Sequence, residues 1–122
     1  MNAVSWFEIP VSDMQRAMSF YNAVFGFDLK VNLMGELQMA WFPADHTGPG
    51  ASGSLIKHEA YTPSTEGALV YFACEDVAEN ISRVEDAGGQ VMKEKIQISE
   101  EVGFMALALD TEGNRIAFHS VK

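Results

Sequence analysis

The sequence predicts an α+β fold of two βαβββ modules, with curved mixed sheets forming a cleft and helices on the outer faces. Three observations carry this. Helix-capping residues recur at Ser12 and Asp76, 64 positions apart. Helix-ending glycines recur at Gly26 and Gly89, 63 positions apart. Each cap follows one β-rich segment and each glycine precedes three more, so one order of elements is written twice. A single unit of this kind leaves an apolar sheet face uncovered. Two units cover the outer faces with helices and curl the inner faces toward a common hollow.

In the first module, Val4–Val11 alternates, with Phe7, Ile9 and Val11 on one side and Trp6, Glu8 and Pro10 on the other. Apolar residues on both sides predict cover on both faces. Ser12 with Gln15 three positions on forms a capping box. Met14, Ala17, Met18, Tyr21 and Phe25 then recur at helical spacing, as the buried stripe of a helix that stops at Gly26. Strands are expected at Asp28–Leu33, Leu37–Phe42 and Ser54–His58. The Gly- and Pro-rich "PADHTGPGASG" between the last two predicts a mobile loop.

In the second module, Ala68–Cys74 reads as a strand, and Asp76 with Glu79 as a capping box. Val77, Ile81 and Val84 form a helical stripe closed by Gly88-Gly89. Strands are expected at Gln90–Ile98, Gly103–Leu109 and Arg115–Val121, the last two joined by the turn "DTEGNR". The organisation is one domain over 1–122: a first module of about 1–58, a connector at 59–67 and a second module of about 68–122.

The bulk composition narrows the function. The chain has 122 residues, 48% hydrophobic and 20% charged, which is the make-up of one globular core. Its formal charge of −9 disfavours nucleic acid and anionic membrane surfaces as partners. Cys74 is the single cysteine, so no internal disulfide forms. The first twenty residues lack the pattern of a signal peptide, and no apolar run is long enough to span a membrane. These points predict a soluble, cytoplasmic protein.

Two segments carry a family resemblance: "IPVSDMQRAMSFYNAVFGFDL" (9–29) and "DTEGNRIAFHS" (110–120). The first has a strand, an Asp and a helix ending Phe-Tyr-x-x-x-x-Gly. The second has Asp-x-x-Gly-Asn and a last strand. With the element order, the whole chain resembles the vicinal oxygen chelate superfamily, the glyoxalase, bleomycin-resistance and extradiol-dioxygenase group. The resemblance implies a cleft between the modules, a homodimer and, in the metal enzymes, a divalent ion held by His or Glu. Carried over singly, the ligand positions fall at Trp6, at Ser54 or Leu55, at Val70 and at Ala117. None is a ligand, so no metal and no cofactor are expected.

On the same resemblance, parity places Glu8 beside Trp6, His119 beside Ala117, and Phe72 and Cys74 beside Val70. Glu8 and His119 are then the candidate catalytic pair, in a wall of Trp6, Trp41, Leu55, Val70, Phe72 and Ala117. A dry, unpaired carboxylate costs several kcal/mol, so Glu8 calls for a partner: His119, water or a ligand. Three readings stay open. The first is a metal-free module binding a small, partly apolar molecule. The second is a metal-independent isomerase or lyase with Glu8 as general base and His119 assisting. The third is a metal-dependent lyase or dioxygenase built on Glu8, His58 and His119. His58 with Glu59 could sit at a cleft rim, His46 lies in the loop, and Cys74 reads as a structural thiol.

Overall fold

The computed structural model describes residues 2–122. Its elements run β1 (Trp6–Pro10), α1 (Met14–Phe25), β2 (Val31–Met34), β3 (Leu37–Trp41), β4 (Ser52–Lys57), β5 (Val70–Ala73), α2 (Val77–Ile81), β6 (Gln90–Ser99), β7 (Gly103–Leu109) and β8 (Arg115–Ser120). They form two four-stranded sheets of the same design, ordered β1-β4-β3-β2 and β5-β8-β7-β6. The first strand of each module runs parallel to the last, and the remaining pairs are antiparallel. The repeated βαβββ order is therefore realised as two mixed sheets.

α1 packs on β3 and β4, α2 packs on β6, β7 and β8, and the two helices touch. One core runs through both modules on this helix side. Ile9, Phe20, Tyr21, Leu55, Phe72, Ile116 and Phe118 all belong to it. Its centre is aromatic: the Phe25 ring lies 4.7 Å from Phe72 and 5.4 Å from Phe118, and Phe7 lies 5.7 Å from Phe42 and 6.0 Å from Phe72. Edge-to-face and offset pairs of this kind add to the area they bury. Gly53 is needed where β4 passes β1, because a Cβ there would run into the Phe7 carbonyl and ring.

The helix caps correct one expectation. Asp13, not Ser12, caps α1, its side chain accepting from Arg16 N at 3.1 Å. The Ser12 and Asp13 amides instead donate to Glu112 Oε1 at 2.9 and 2.8 Å. A residue a hundred positions away satisfies the helix entrance, which local spacing does not reveal. Asp76 caps α2 as expected, and Gly26 ends α1 in the left-handed region at φ 74°. α2 itself stops at Ile81 and continues as single turns to Gly88, which still bury Val84.

A second inter-module tie is a polar staple under the closing hairpin. The Tyr21 hydroxyl donates to Asp110 Oδ2 at 2.6 Å, and Asp110 Oδ1 accepts from the Glu112 and Asn114 amides, each at 2.9 Å. Asn114 Nδ2 donates to Asp110 Oδ2 and to the Pro10 carbonyl. Burial and the facing Asp110 push the Tyr21 phenol well above its usual pKa, so it remains a donor. The Tyr of the helix motif and the Asp and Asn of the turn motif thus lock module to module.

Candidate functional site

The site is built on the sheet faces opposite the helices. Ladder register assigns them. On the first sheet Glu8 pairs with Ser54 and Ser54 with Trp41, while Trp6 pairs with Ser52. These side chains share the helix-free face. On the second sheet Tyr71 pairs with Ala117 and Ala117 with Leu107, while His119 pairs with Ala73 and Met105. Trp6 and Trp41 stand edge to face at 6.4 Å and are 41% and 50% exposed, so they offer ring surface to solvent. Ser54 lies between Glu8 and Trp41, fully buried, and among the described residues its hydroxyl has no hydrogen-bond partner.

Glu8 is exposed, so β1 is covered on one face only, contrary to the expectation of cover on both. A carboxylate in this strand needs no buried partner because it faces a cavity. That cavity, about 310 Å³, lies where the edge strands β1 and β5 approach each other. It is lined by Phe7, Glu8, Ile9 and Pro10 on one side and by Val70, Arg115 and Ile116 on the other, with Thr62, Ser64, Gly67 and Ala68 of the connector segment completing it.

Two expected wall residues, Leu55 and Phe72, sit elsewhere, and a third, Val70, is only partly in place. Leu55 is fully buried on the helix side, beside Ile9 and Ala40. Phe72 is in the aromatic core, and Val70 packs against that core while its edge lines the Glu8 cavity. Parity counted from Val70 is one residue out, so Tyr71 and Ala73 face outward in place of Val70 and Phe72. A short apolar strand reads alike in either phase, and the phase is set by which residues the helix covers.

His119 lines a different cavity, about 420 Å³, with Tyr71, Ala73, Ile98 and Val102. Its Nε2–H donates to the Val102 carbonyl at 2.6 Å, which fixes the tautomer. Glu8 and His119 therefore do not line a common cavity. Ala117 is buried between Tyr71 and Leu107. His46 lines a small pocket of about 150 Å³ beside Trp6. His58 accepts from Ala60 N at Nδ1, and its Nε2 lies 3.7 Å from Glu36; with Glu59 it lines a polar cavity at the end of β4. Burial pushes the Cys74 thiol up to about 11, which leaves it inert at neutral pH.

The ion of the metal enzymes does not fit these residues. The register places Trp6, Ser54, Tyr71 and Ala117 on the helix-free faces, and among the described residues no three His, Cys, Asp or Glu side chains gather to hold an ion. Sequence reasoning passed over Arg115, which the "GNR" end of the turn carries into the Glu8 cavity. The strand-start cation was the available signal. No helix among the described residues is long and apolar enough to cross a membrane.

Comparison with known proteins agrees with the architecture. The family described as the Glyoxalase/Bleomycin resistance protein/Dioxygenase superfamily matches residues 3–118. A glyoxylase-like domain-containing protein of Didymella fabae is 30% identical over 115 residues, covering 91% of this chain and 88% of that protein. Glyoxalase I from Zea mays superposes with a TM-score of 0.73 at 17% identity, over 98% of this chain and 48% of that one. This chain thus spans about half of the maize enzyme. A glyoxalase/bleomycin resistance protein/dioxygenase family enzyme from Burkholderia phytofirmans PsJN superposes at 0.69 with 20% identity, over 97% and 98% of the two chains. At these identities the two structural likenesses speak for the fold alone.

Proposed function

The chain belongs to the glyoxalase/bleomycin resistance protein/dioxygenase superfamily, and from that premise we propose that it is a binding module for a small, partly apolar molecule, held without a metal ion on the helix-free face at Glu8. One observation carries this reading. Two tryptophans present their rings to solvent on the same sheet face as an exposed carboxylate, and that carboxylate lines a cavity made mainly of apolar groups. Soluble domains seldom leave large aromatic surface uncovered without a ligand or partner. The negative chain favours a neutral or cation-bearing ligand at long range.

The same reading includes a homodimer in the cytoplasm. Exposed Tyr71, Ile96 and Ile98 on the second sheet, with Val102 in the turn between β6 and β7, suit a second copy of the chain. Glu8 alone could still remove a proton from a bound carbonyl compound; His119, bonded to Val102 and lining another cavity, is not placed to assist it.

A thermal-shift screen with neutral and cationic small molecules tests the reading. A ligand at 100 times its dissociation constant should add about 2.7 kcal/mol of stability and change tryptophan emission. Trp41→Ala should weaken that ligand while leaving the fold intact. A screen without a stabilising ligand, or ligands indifferent to Trp41→Ala and Glu8→Gln, would overturn it.

A further inference from the structure

We propose that the Glu8 cavity is built for a small zwitterion with an apolar body, its ammonium facing Glu8 and its carboxylate facing Arg115. This rests on the cleft-binding reading and names its ligand class. Glu8 comes from β1 of the first sheet and Arg115 from β8 of the second, and both line the same cavity of about 310 Å³. Opposite charges in one cavity usually close on each other. Here, among the described residues, neither side chain has an ion pair or a hydrogen bond, to the other or to anything else.

Arg115 stands apart from the other guanidinium groups. The chain has three arginines. Arg16 is paired with Glu112, and Arg83 donates to the Val24 carbonyl. Among the described residues Arg115 is the one arginine without a partner, and its planar fork of donors matches a carboxylate in two-point contact. In a chain of charge −9 an anionic group needs such a local cation to bind at all, and a free amine beside it gains from Glu8.

The segments that carry the two charges are tied together by the fold. Asn114 Nδ2 ties the hairpin to the Pro10 carbonyl at 2.7 Å, and its Oδ1 accepts from Ser64 N at 3.1 Å, which pins the connector over the rim. β1, β8 and the connector are thereby fixed to one another at Asn114. The rest of the lining includes the apolar Phe7, Ile9, Pro10, Val70 and Ile116. A pre-formed, largely apolar cavity carrying one acid and one base recognises an amphoteric molecule by its two charges and its apolar body.

The test compares three probes of one shape: L-leucine, isopentylamine (the same body without the carboxylate) and 4-methylpentanoate (without the amine). Binding is followed by calorimetry and tryptophan emission. Leucine should bind at least about tenfold more tightly than either single-charge probe. Arg115→Gln should bring leucine down to the level of the amine and leave the amine unchanged. Glu8→Gln should bring it down to the level of the acid and leave the acid unchanged. Both residues are exposed, so the variants keep the fold, which circular dichroism verifies. Equal affinities for leucine and the amine, an Arg115→Gln loss shared by all three probes, or no binding of any probe would each overturn the proposal. A stabilising ligand from the screen that senses Trp41→Ala without any preference for paired charges would overturn it alone and leave the cleft reading standing.

Discussion

Removing the Tyr21 hydroxyl should cost this protein about 2 kcal/mol, although the change keeps every ring contact. Tyr21 is fully buried, and its hydroxyl donates at 2.6 Å to Asp110, itself 5% exposed. A hydrogen bond to a charged acceptor contributes about 1.5–3 kcal/mol net. In Tyr21→Phe the Asp110 carboxylate keeps three donors, the Glu112 and Asn114 amides and Asn114 Nδ2, so it is weakened and not stranded. That places the loss near the middle of the range. Urea unfolding followed by circular dichroism and tryptophan emission measures it; at a slope of roughly 1.5 kcal/mol per M the midpoint falls by about 1.3 M. In an Asp110→Asn background the same substitution should cost about half as much, because the charge assistance is gone. A loss below about 0.5 kcal/mol, or the same loss in both backgrounds, would refute the view that this buried carboxylate staples the modules.

Two further predictions concern polar groups at the edges of the site. Burial pushes the Glu112 carboxyl up, but Arg16, the Asp13 and Ser12 amides and the Thr111 hydroxyl outweigh it and hold the group at about 2, against an ordinary 4.5. Its folded-state value lies below the unfolded one, so its stabilisation is present above pH 4.5 and is lost as pH falls toward 2. Arg16 is half exposed and screened, which leaves about 1–2 kcal/mol in that acid limb; Glu112→Gln should lose it at neutral pH and flatten the limb, and an unchanged acid titration of stability would contradict this. Ser54→Ala removes a fully buried hydroxyl that has no partner, so it should be neutral or stabilising by up to about 1 kcal/mol in the same urea assay, whereas a clear destabilisation would mean that the hydroxyl is satisfied.

Much of the architecture was legible because it is encoded locally. Gly26 and Gly88 sit where the backbone takes positive φ, Asp76 bonds an amide two residues on, and strand β7 has the bounds its alternation predicts. Period-two parity set Glu8 beside Trp6 and His119 beside Ala117, and by ladder register these residues are on the helix-free faces. Leu55, Val70 and Phe72 are not. Within SGSLIK and VYFA the apolar residues run consecutively, so either phase buries something, and only the helix that lands on one side selects it.

The sequence by itself determined the doubled βαβββ order, the absence of the usual ligand types from the expected strand positions, and the stop of α1 at Gly26, since each depends on residues near in the chain. The tertiary structure alone decided that Glu112 closes the entrance of α1, that Tyr21 and Asp110 form a staple, that Glu8 and His119 line separate cavities, and that Glu8 shares its own with Arg115. Those pairings join residues roughly 90 to 110 positions apart, and no spacing rule extends that far. They are set by how two separately formed sheets share one aromatic core.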